Sequence, residues 1–163
     1  MSEELPDSAR RVQQALTAAG LSSQVVQLPR SARTANDAAA AIGCGVEQIV
    51  KSLVFRRTDS SEPVLVLVSG PNRVDERLVA SALNAGIAKA DADFVRSTTG
   101  YAIGGIPPLG HQQPIETLID EDLLRLDTIW AAAGTPHAVF SIHPDDLVRA
   151  TGGRVLAVRV QEP

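Results

Sequence analysis

The sequence has few aromatic rings: one tryptophan, one tyrosine and three phenylalanines among 163 residues. That scarcity excludes the row of stacking platforms used to bind single-stranded bases, and it leaves an aliphatic core as the only one available. One cysteine, Cys44, excludes an internal disulfide and a cysteine-rich zinc site, and points to a reducing compartment. The three histidines, His111, His137 and His143, lack metal-ligand spacing, so neither a metal nor a cofactor is expected. A formal charge of −4 argues against a broad basic surface for nucleic acid, though not against a local basic pocket. No apolar run approaches the length needed to span a bilayer. The start, Met1-Ser2-Glu3-Glu4-Leu5-Pro6, is acidic and has no apolar stretch of signal-peptide type, so a soluble cytoplasmic protein is expected. A phosphate-binding P-loop is missing too: the glycine pair Gly105 and Gly110 is followed by His111-Gln112, not by lysine and a hydroxyl residue. There is no G-x-S-x-G nucleophile elbow.

What is present is 44% apolar residues, mostly alanine, valine, leucine and isoleucine. With this length they make one folded domain over residues 1–163. Helical spacing predicts a helix over Ser8–Ala19, capped by Asp7 or Ser8, and another from the Thr34/Asp37 capping pair to Ile42. Further helices are predicted over Arg73–Asn84, Ala92–Thr98, Asp120–Leu126 and Pro144–Thr151. Val46–Val50 reads as a helical turn. Strands are predicted over Gln24–Leu28, Lys51–Arg56, Pro63–Ser69, Ile115–Ile119 and Val155–Val158, and a hairpin turns at Gly134-Thr135-Pro136 between 129–133 and 138–142. The most apolar strand, Pro63–Ser69, is expected to be central and covered on both faces. Helices and strands mix, with hairpins in both halves. The expected class is α/β (α+β): a mixed, partly antiparallel sheet with helices around it.

Two features stand out from that frame. In the 51–56 strand, Lys51 shares a face with Leu53 and Phe55. An unpaired buried ammonium is costly, so Lys51 either sits at the sheet edge with its head in water or points into a polar cavity. The second feature is residues 100–111, which hold four glycines and two prolines in twelve residues. No helix or strand interior tolerates that mixture. It is either a tight connection or a stiff loop whose bare backbone amides hold a ligand oxygen. Cys44 lies between Gly43 and Gly45 at a helix end, a packing position; spacing leaves a cysteine–histidine pair open.

The sequence resembles the YbaK/EbsC family of aminoacyl-tRNA deacylases, related to the editing (insertion) domain of bacterial prolyl-tRNA synthetases. The residues that carry the resemblance are 48–55 (QIVKSLVF), 65–70 (LVLVSG), Asp75, Thr99-Gly100-Tyr101 and 104–110 (GGIPPLG), in which Gly104-x-x-x-Pro108 fits the family's loop. The likeness runs from about Thr34 to about Val158. It implies a sheet curved toward a barrel and hydrolysis of the ester joining a wrong amino acid to the 3′ adenosine of a tRNA. The substrate implied is a tRNA(Pro) carrying a small residue such as alanine or cysteine. It puts Lys51 in a polar cavity as a fixed charge holding the terminal ribose or phosphate, not as a general base. It makes Gly104, Gly105, Ile106 and Pro108 the loop that cradles the scissile carbonyl. His111 and His137 are two alternatives for a functional histidine, and Phe55 and Ile103, with Leu28, Val46 and Leu53, are candidate pocket walls. Arg30, Arg33, Arg56, Arg57 and Arg73 offer a basic rim for the acceptor end. The implied partners are that acceptor end and a prolyl-tRNA synthetase, with the chain a monomer or homodimer. The alternative is a catalytically silent tRNA- or synthetase-binding module of the same fold.

Overall fold

A computed structural model describes residues 5–161; Met1–Glu4, on which the reading of the N-terminus rested, lie outside the described residues. The chain runs α1 (Asp7–Ala18), β1 (Val26–Gln27), α2 (Ala35–Ile42), a 3-10 turn (Val46–Gln48), β2 (Ile49–Arg57), β3 (Pro63–Ser69), α3 (Glu76–Leu83), β4 (Ile87–Lys89) and α4 (Ala92–Thr99). It continues through β5 (Glu116–Asp120), a second 3-10 turn (Glu121–Arg125), β6 (Ile129–Ala132), β7 (Ala138–Ile142), α5 (Pro144–Thr151) and β8 (Arg154–Leu156). No described helix is long and apolar enough to cross a membrane.

Eight strands form one mixed sheet in the order β1-β7-β6-β2-β3-β5-β8, with β4 attached to β2 outside that path. Strand β3 lies inside the sheet and every one of its residues is buried, as a continuous apolar run requires. Its two faces serve different cores. Leu65 and Leu67 pack with Phe140, Ile129 and helix α1's Val12 and Leu16. Val64, Val66 and Val68 pack with Phe55, Val79 and Val158. Helix α1 buries Ala9, Val12 and Leu16, one stripe at helical spacing.

Local chemistry explains most boundaries and also the departures. Thr34 accepts the Asp37 amide at 3.0 Å and Gly43 ends α2 in the left-handed region, as expected. Helix α1 starts one residue earlier than predicted, after Pro6, with no side-chain cap; Asp7 sits inside the first turn. Helix α3 starts at Glu76, not Arg73, because Asp75 is its cap and accepts the Arg77 and Leu78 amides. Residues 73–75 are instead held extended: Asp75 donates to Val158, and Val160 donates to Arg73. The predicted strand over Gln24–Leu28 narrows to two residues paired with β7. The predicted strand over Val155–Val158 lies at Arg154–Leu156, in parallel with β5. The 120–126 helix is a 3-10 turn in which Asp120's side chain accepts the Asp122 amide. Strand β4 had no sequence signal; its three residues are ordered by pairing with the end of β2.

One detail of the topology makes the site. Along one edge, β2 pairs in parallel with β6 only at Ile49 and Val50. Along that same edge it pairs with β4 only from Phe55 to Arg57. Between them the edge from Lys51 to Val54 carries no neighbouring strand, and the sheet forks. The other edge of β2 is fully occupied by β3.

Candidate active site

The gap in the sheet opens into two adjoining cavities. The first is about 340 Å³ and the second about 390 Å³. Lys51, Ser52, Leu53, Ile103 and Ile106 border both. The first is walled by apolar side chains, small ones (Ala32, Ala35 and Ala38 from the α2 side, Ala131 and Ala132 from β6) together with the larger Ile42, Ile49, Val139 and Trp130. Arg33 and Gly104 stand at its margin. The second is lined by Phe55, Val74 and Val95, with the charged groups Arg73, Lys89 and Glu76.

Lys51 stands where the two meet, half-buried, and its Nζ donates to the Asn72 main-chain carbonyl at 2.6 Å. An ammonium has three N–H bonds; the other two have no acceptor among the described residues. Burial, then the neighbouring Arg73 guanidinium, push the Lys51 pKa below the ordinary lysine value, while the Asp120 carboxylate pulls it back up. Nothing adjacent in sequence suggested that depression. Both charged neighbours come from distant segments. Ser52 has a buried Oγ with no hydrogen-bond partner, a polar atom left over at the fork.

The glycine–proline loop closes the cavities from the other side. Ala102 and Ile103 are exposed, Ile103 at 55%, whereas Gly105 through Leu109 are buried. The loop is therefore a fixed base with a projecting lip. The base is stitched in several ways. Tyr101 Oη donates to the Gly110 carbonyl at 2.9 Å, and Thr99 Oγ1 accepts the Tyr101 amide at 3.0 Å. Gly134 donates to the Gly105 carbonyl at 2.9 Å, tying the loop to the β6–β7 turn. Arg11 of α1 lies 4.6 Å over the Tyr101 ring and donates to the Gly100 carbonyl at 3.0 Å. Gly105 itself is pressed against backbone: a Cβ there would lie 2.7 Å from the Thr135 nitrogen. Gly104 has φ +101, a conformation that side-chain-bearing residues rarely adopt.

The loop's amides are not equivalent. Gly105 donates to the Ala102 carbonyl at 3.2 Å, so its N–H is already engaged. The Gly104 and Ile106 amides have no acceptor among the described residues. The proline pair has none to give.

The structure brings Lys51, Gly104, Ile106, Ile103, Leu53 and Phe55 to these cavities. It does not bring the histidines there. His111 is beneath the loop, its Nε2 2.7 Å from the Pro107 carbonyl and its ring edge-on to Tyr101. His137 is exposed on the hairpin, and its carbonyl accepts the Leu28 amide. Neither borders either cavity, nor do Leu28, Val46 or Pro108. Cys44 packs with Ala38, Ala39 and Ile49, and burial followed by Glu47 raises its thiol pKa, the reverse of nucleophile activation. Of the proposed basic rim, Arg33 and Arg73 stand at the cavities, while Arg57 is paired with Asp59 and Glu116. Asn72 and Asp120, which hold the lysine from behind, were missed from sequence. Their only signals were a turn asparagine and an aspartate closing an apolar strand.

His111 yields a pH prediction. Burial lowers its pKa, and the bond to the Pro107 carbonyl offsets this only in part. The unfolded state then binds the proton more readily than the folded one, so stability falls as pH drops below about 6.5. Thermal midpoints measured from pH 8 to 5 should show this loss, and His111→Asn should flatten it. An unchanged acid limb would remove His111 from loop stability.

The model of the aminoacyl-tRNA editing domain matches residues 29–150, and the chain belongs to that family. A solved structure described as a candidate trans-editing enzyme for prolyl-tRNA synthetase superposes with TM-score 0.91 at 45% identity, over 97% of this chain and 100% of that one. The YwhH protein of Bacillus subtilis (strain 168), itself uncharacterised, is 27% identical over 123 residues, 76% of this chain and 78% of that protein. EbsC of Enterococcus faecalis (strain ATCC 700802 / V583), described as a candidate Cys-tRNA(Pro)/Cys-tRNA(Cys) deacylase, is 24% identical over 130 residues, 79% of each chain. Family membership and the shared fold support a role in aminoacyl-tRNA editing.

Proposed function

We propose that the chain is a free-standing deacylase that hydrolyses the ester between a small, wrong amino acid, such as alanine or cysteine, and the 3′ adenosine of a tRNA, with tRNA(Pro) as the substrate. The observation that carries the proposal is the meeting of Lys51 and the 103–106 loop at one fork in the sheet, where Lys51, Gly104 and Ile106, each with an N–H that has no acceptor among the described residues, line two adjoining cavities. The first cavity, with its apolar, alanine-rich walls, suits a small apolar or thiol side chain. The second, with Arg73 and Lys89 at its margin, suits the terminal nucleotide and its phosphate.

The ester carbonyl then lies at the junction. The free N–H bonds of Lys51 and the amides of Gly104 and Ile106 are the groups available to hold its oxygen as negative charge develops there. Water adds to the carbonyl carbon, the bond to the ribose oxygen breaks, and that oxygen leaves with a proton as the hydroxyl. The free amino acid departs as its carboxylate. The ester is already activated, so positioning the water against it supplies much of the acceleration. Such a site acts as a second sieve, removing residues a synthetase pocket is too roomy to reject.

A panel of tRNAs charged with alanine, cysteine, serine and proline tests the reading. Alanyl- or cysteinyl-tRNA(Pro) should be hydrolysed faster than prolyl-tRNA(Pro) and faster than the spontaneous rate. Binding of the panel without turnover would instead establish the silent binding module. Binding should also weaken with added salt, with a shallow slope, because few cations on an acidic chain carry the contact.

A further inference from the structure

We propose that Asp120 and Asn72 are positioning residues for Lys51: a buried carboxylate clamps the Gly70–Asn72 turn, and the turn's carbonyl fixes the ammonium at the fork. The kinetic part of this inference rests on the deacylase reading above.

Asp120 ends β5 and is completely buried. Its carboxylate accepts three N–H donors: the Ser69 amide at 3.1 Å, the Asn72 side-chain amide at 2.8 Å and the Asp122 amide at 2.9 Å. A buried carboxylate held by three donors is rigid, because loosening any one bond leaves a polar group unsatisfied. The Asn72 Nδ2 also donates to Asp122 Oδ2 at 2.8 Å. Asp122 is gripped from outside by Arg159, with Nε 3.0 Å from Oδ2. Arg125 lies at ion-pair distance from Asp122 Oδ1, 3.1 Å, but is not aligned for a hydrogen bond. The turn is thus held by β3, β5 and the 3-10 turn, and the C-terminal stretch braces Asp122 behind it. Its one contact toward the cavities is the Asn72 carbonyl, 2.6 Å from Lys51 Nζ.

The arrangement has two effects. It aims the lysine's two remaining N–H bonds, and it places one negative charge behind a cation that Arg73 and burial oppose. The charged groups around Lys51 are Arg73 from the extended segment, Asp120 from β5, Glu76 from α3 and Lys89 from β4. Asp122, Arg125 and Arg159 form the outer ring. Asp120 is the only one of them that is fully buried.

The test compares wild type with Asp120→Asn and Asn72→Ala in the full chain. Nitrogen-15 NMR follows the Lys51 ammonium, and steady-state deacylation gives kcat and KM on the best mischarged tRNA of the panel. In Asp120→Asn the Lys51 titration should move to lower pH, the alkaline limb of the rate profile should move with it, and kcat should fall about tenfold with KM within about threefold. In Asn72→Ala the Lys51 ammonium hydrogens should exchange with water faster than in wild type, and kcat should fall similarly. An unchanged Lys51 titration, or a shifted one with kcat within about twofold of wild type, overturns the proposal. Should Asp120→Asn fail to fold, Asn72→Ala decides alone: unchanged ammonium exchange overturns the clamp. If wild type hydrolyses nothing on the panel, the deacylase reading fails, and the NMR measurements still decide the clamp.

Discussion

Lys51→Met is expected to reduce deacylation by on the order of 10²–10³-fold while the protein stays folded. Methionine keeps an unbranched stem against Leu53 and removes the only ammonium that both cavities share. The stability result should run against the activity result. The Lys51 pKa is lowered in the folded state, first by burial and then by Arg73. Below the folded pKa the charged lysine therefore works against folding. That penalty is fully present below the folded pKa and is relieved as pH rises from there toward the unfolded value of about 10.4. Lys51→Met should accordingly melt no lower than wild type at pH 7 and should lose the wild type's gain in stability toward alkaline pH. Deacylation rates and thermal midpoints from pH 6 to 10 check both halves. An unchanged rate would take Lys51 out of the mechanism. A large drop in midpoint would make it a structural residue.

Gly105→Ala should lose both stability and activity, and by more than Gly104→Ala. At Gly105 the added methyl would meet the Thr135 nitrogen at 2.7 Å, the Gly134 carbonyl carbon at 2.8 Å and the Thr135 Cα at 2.8 Å. All of these are backbone, and Gly134 is itself packed against Ser8 of α1, where a Cβ would lie 2.7 Å from main-chain atoms. The loop has nowhere to retreat, so it must lift from the hairpin, breaking the Gly134 to Gly105 hydrogen bond. The cost should be about 1–3 kcal/mol, as for other overpacked sites. Lifting the loop also moves the Gly104 and Ile106 amides away from Lys51, so activity should fall by on the order of 10²-fold. At Gly104 the nearest atom to an added Cβ is the Arg33 Nε at 3.2 Å, at the end of a flexible side chain. There the cost is the backbone strain of φ +101, about 1–3 kcal/mol, with no hydrogen bond to the hairpin broken, so activity should drop less than in Gly105→Ala. Denaturant unfolding and single-turnover rates for both variants test the ordering. Equal effects would show that the hairpin does not support the loop.

Much of the molecule was legible in its residues. The amphipathic stripe of α1, the Thr34 cap, the apolar run of β3 and the hairpin around Gly134 are local features, each set by a periodicity or a turn residue within a few positions. The loop at 100–111 was legible for the same reason, since glycine and proline act on their own backbone. What sequence by itself determined was therefore most of the element list, β4 excepted, the aliphatic core and the two odd features, a lysine among apolar neighbours and a stiff glycine–proline bend. The tertiary structure decided where they stand. That β2 shares one edge between β6 and β4, leaving Lys51–Val54 open, depends on long-range pairing that no local pattern encodes. Tertiary structure alone also brought Asn72, Arg73 and Asp120 around the lysine and left His111 beneath the loop. A charge is tuned, and a side chain aimed, by whatever is near in space, and folding brings together groups that the chain keeps far apart.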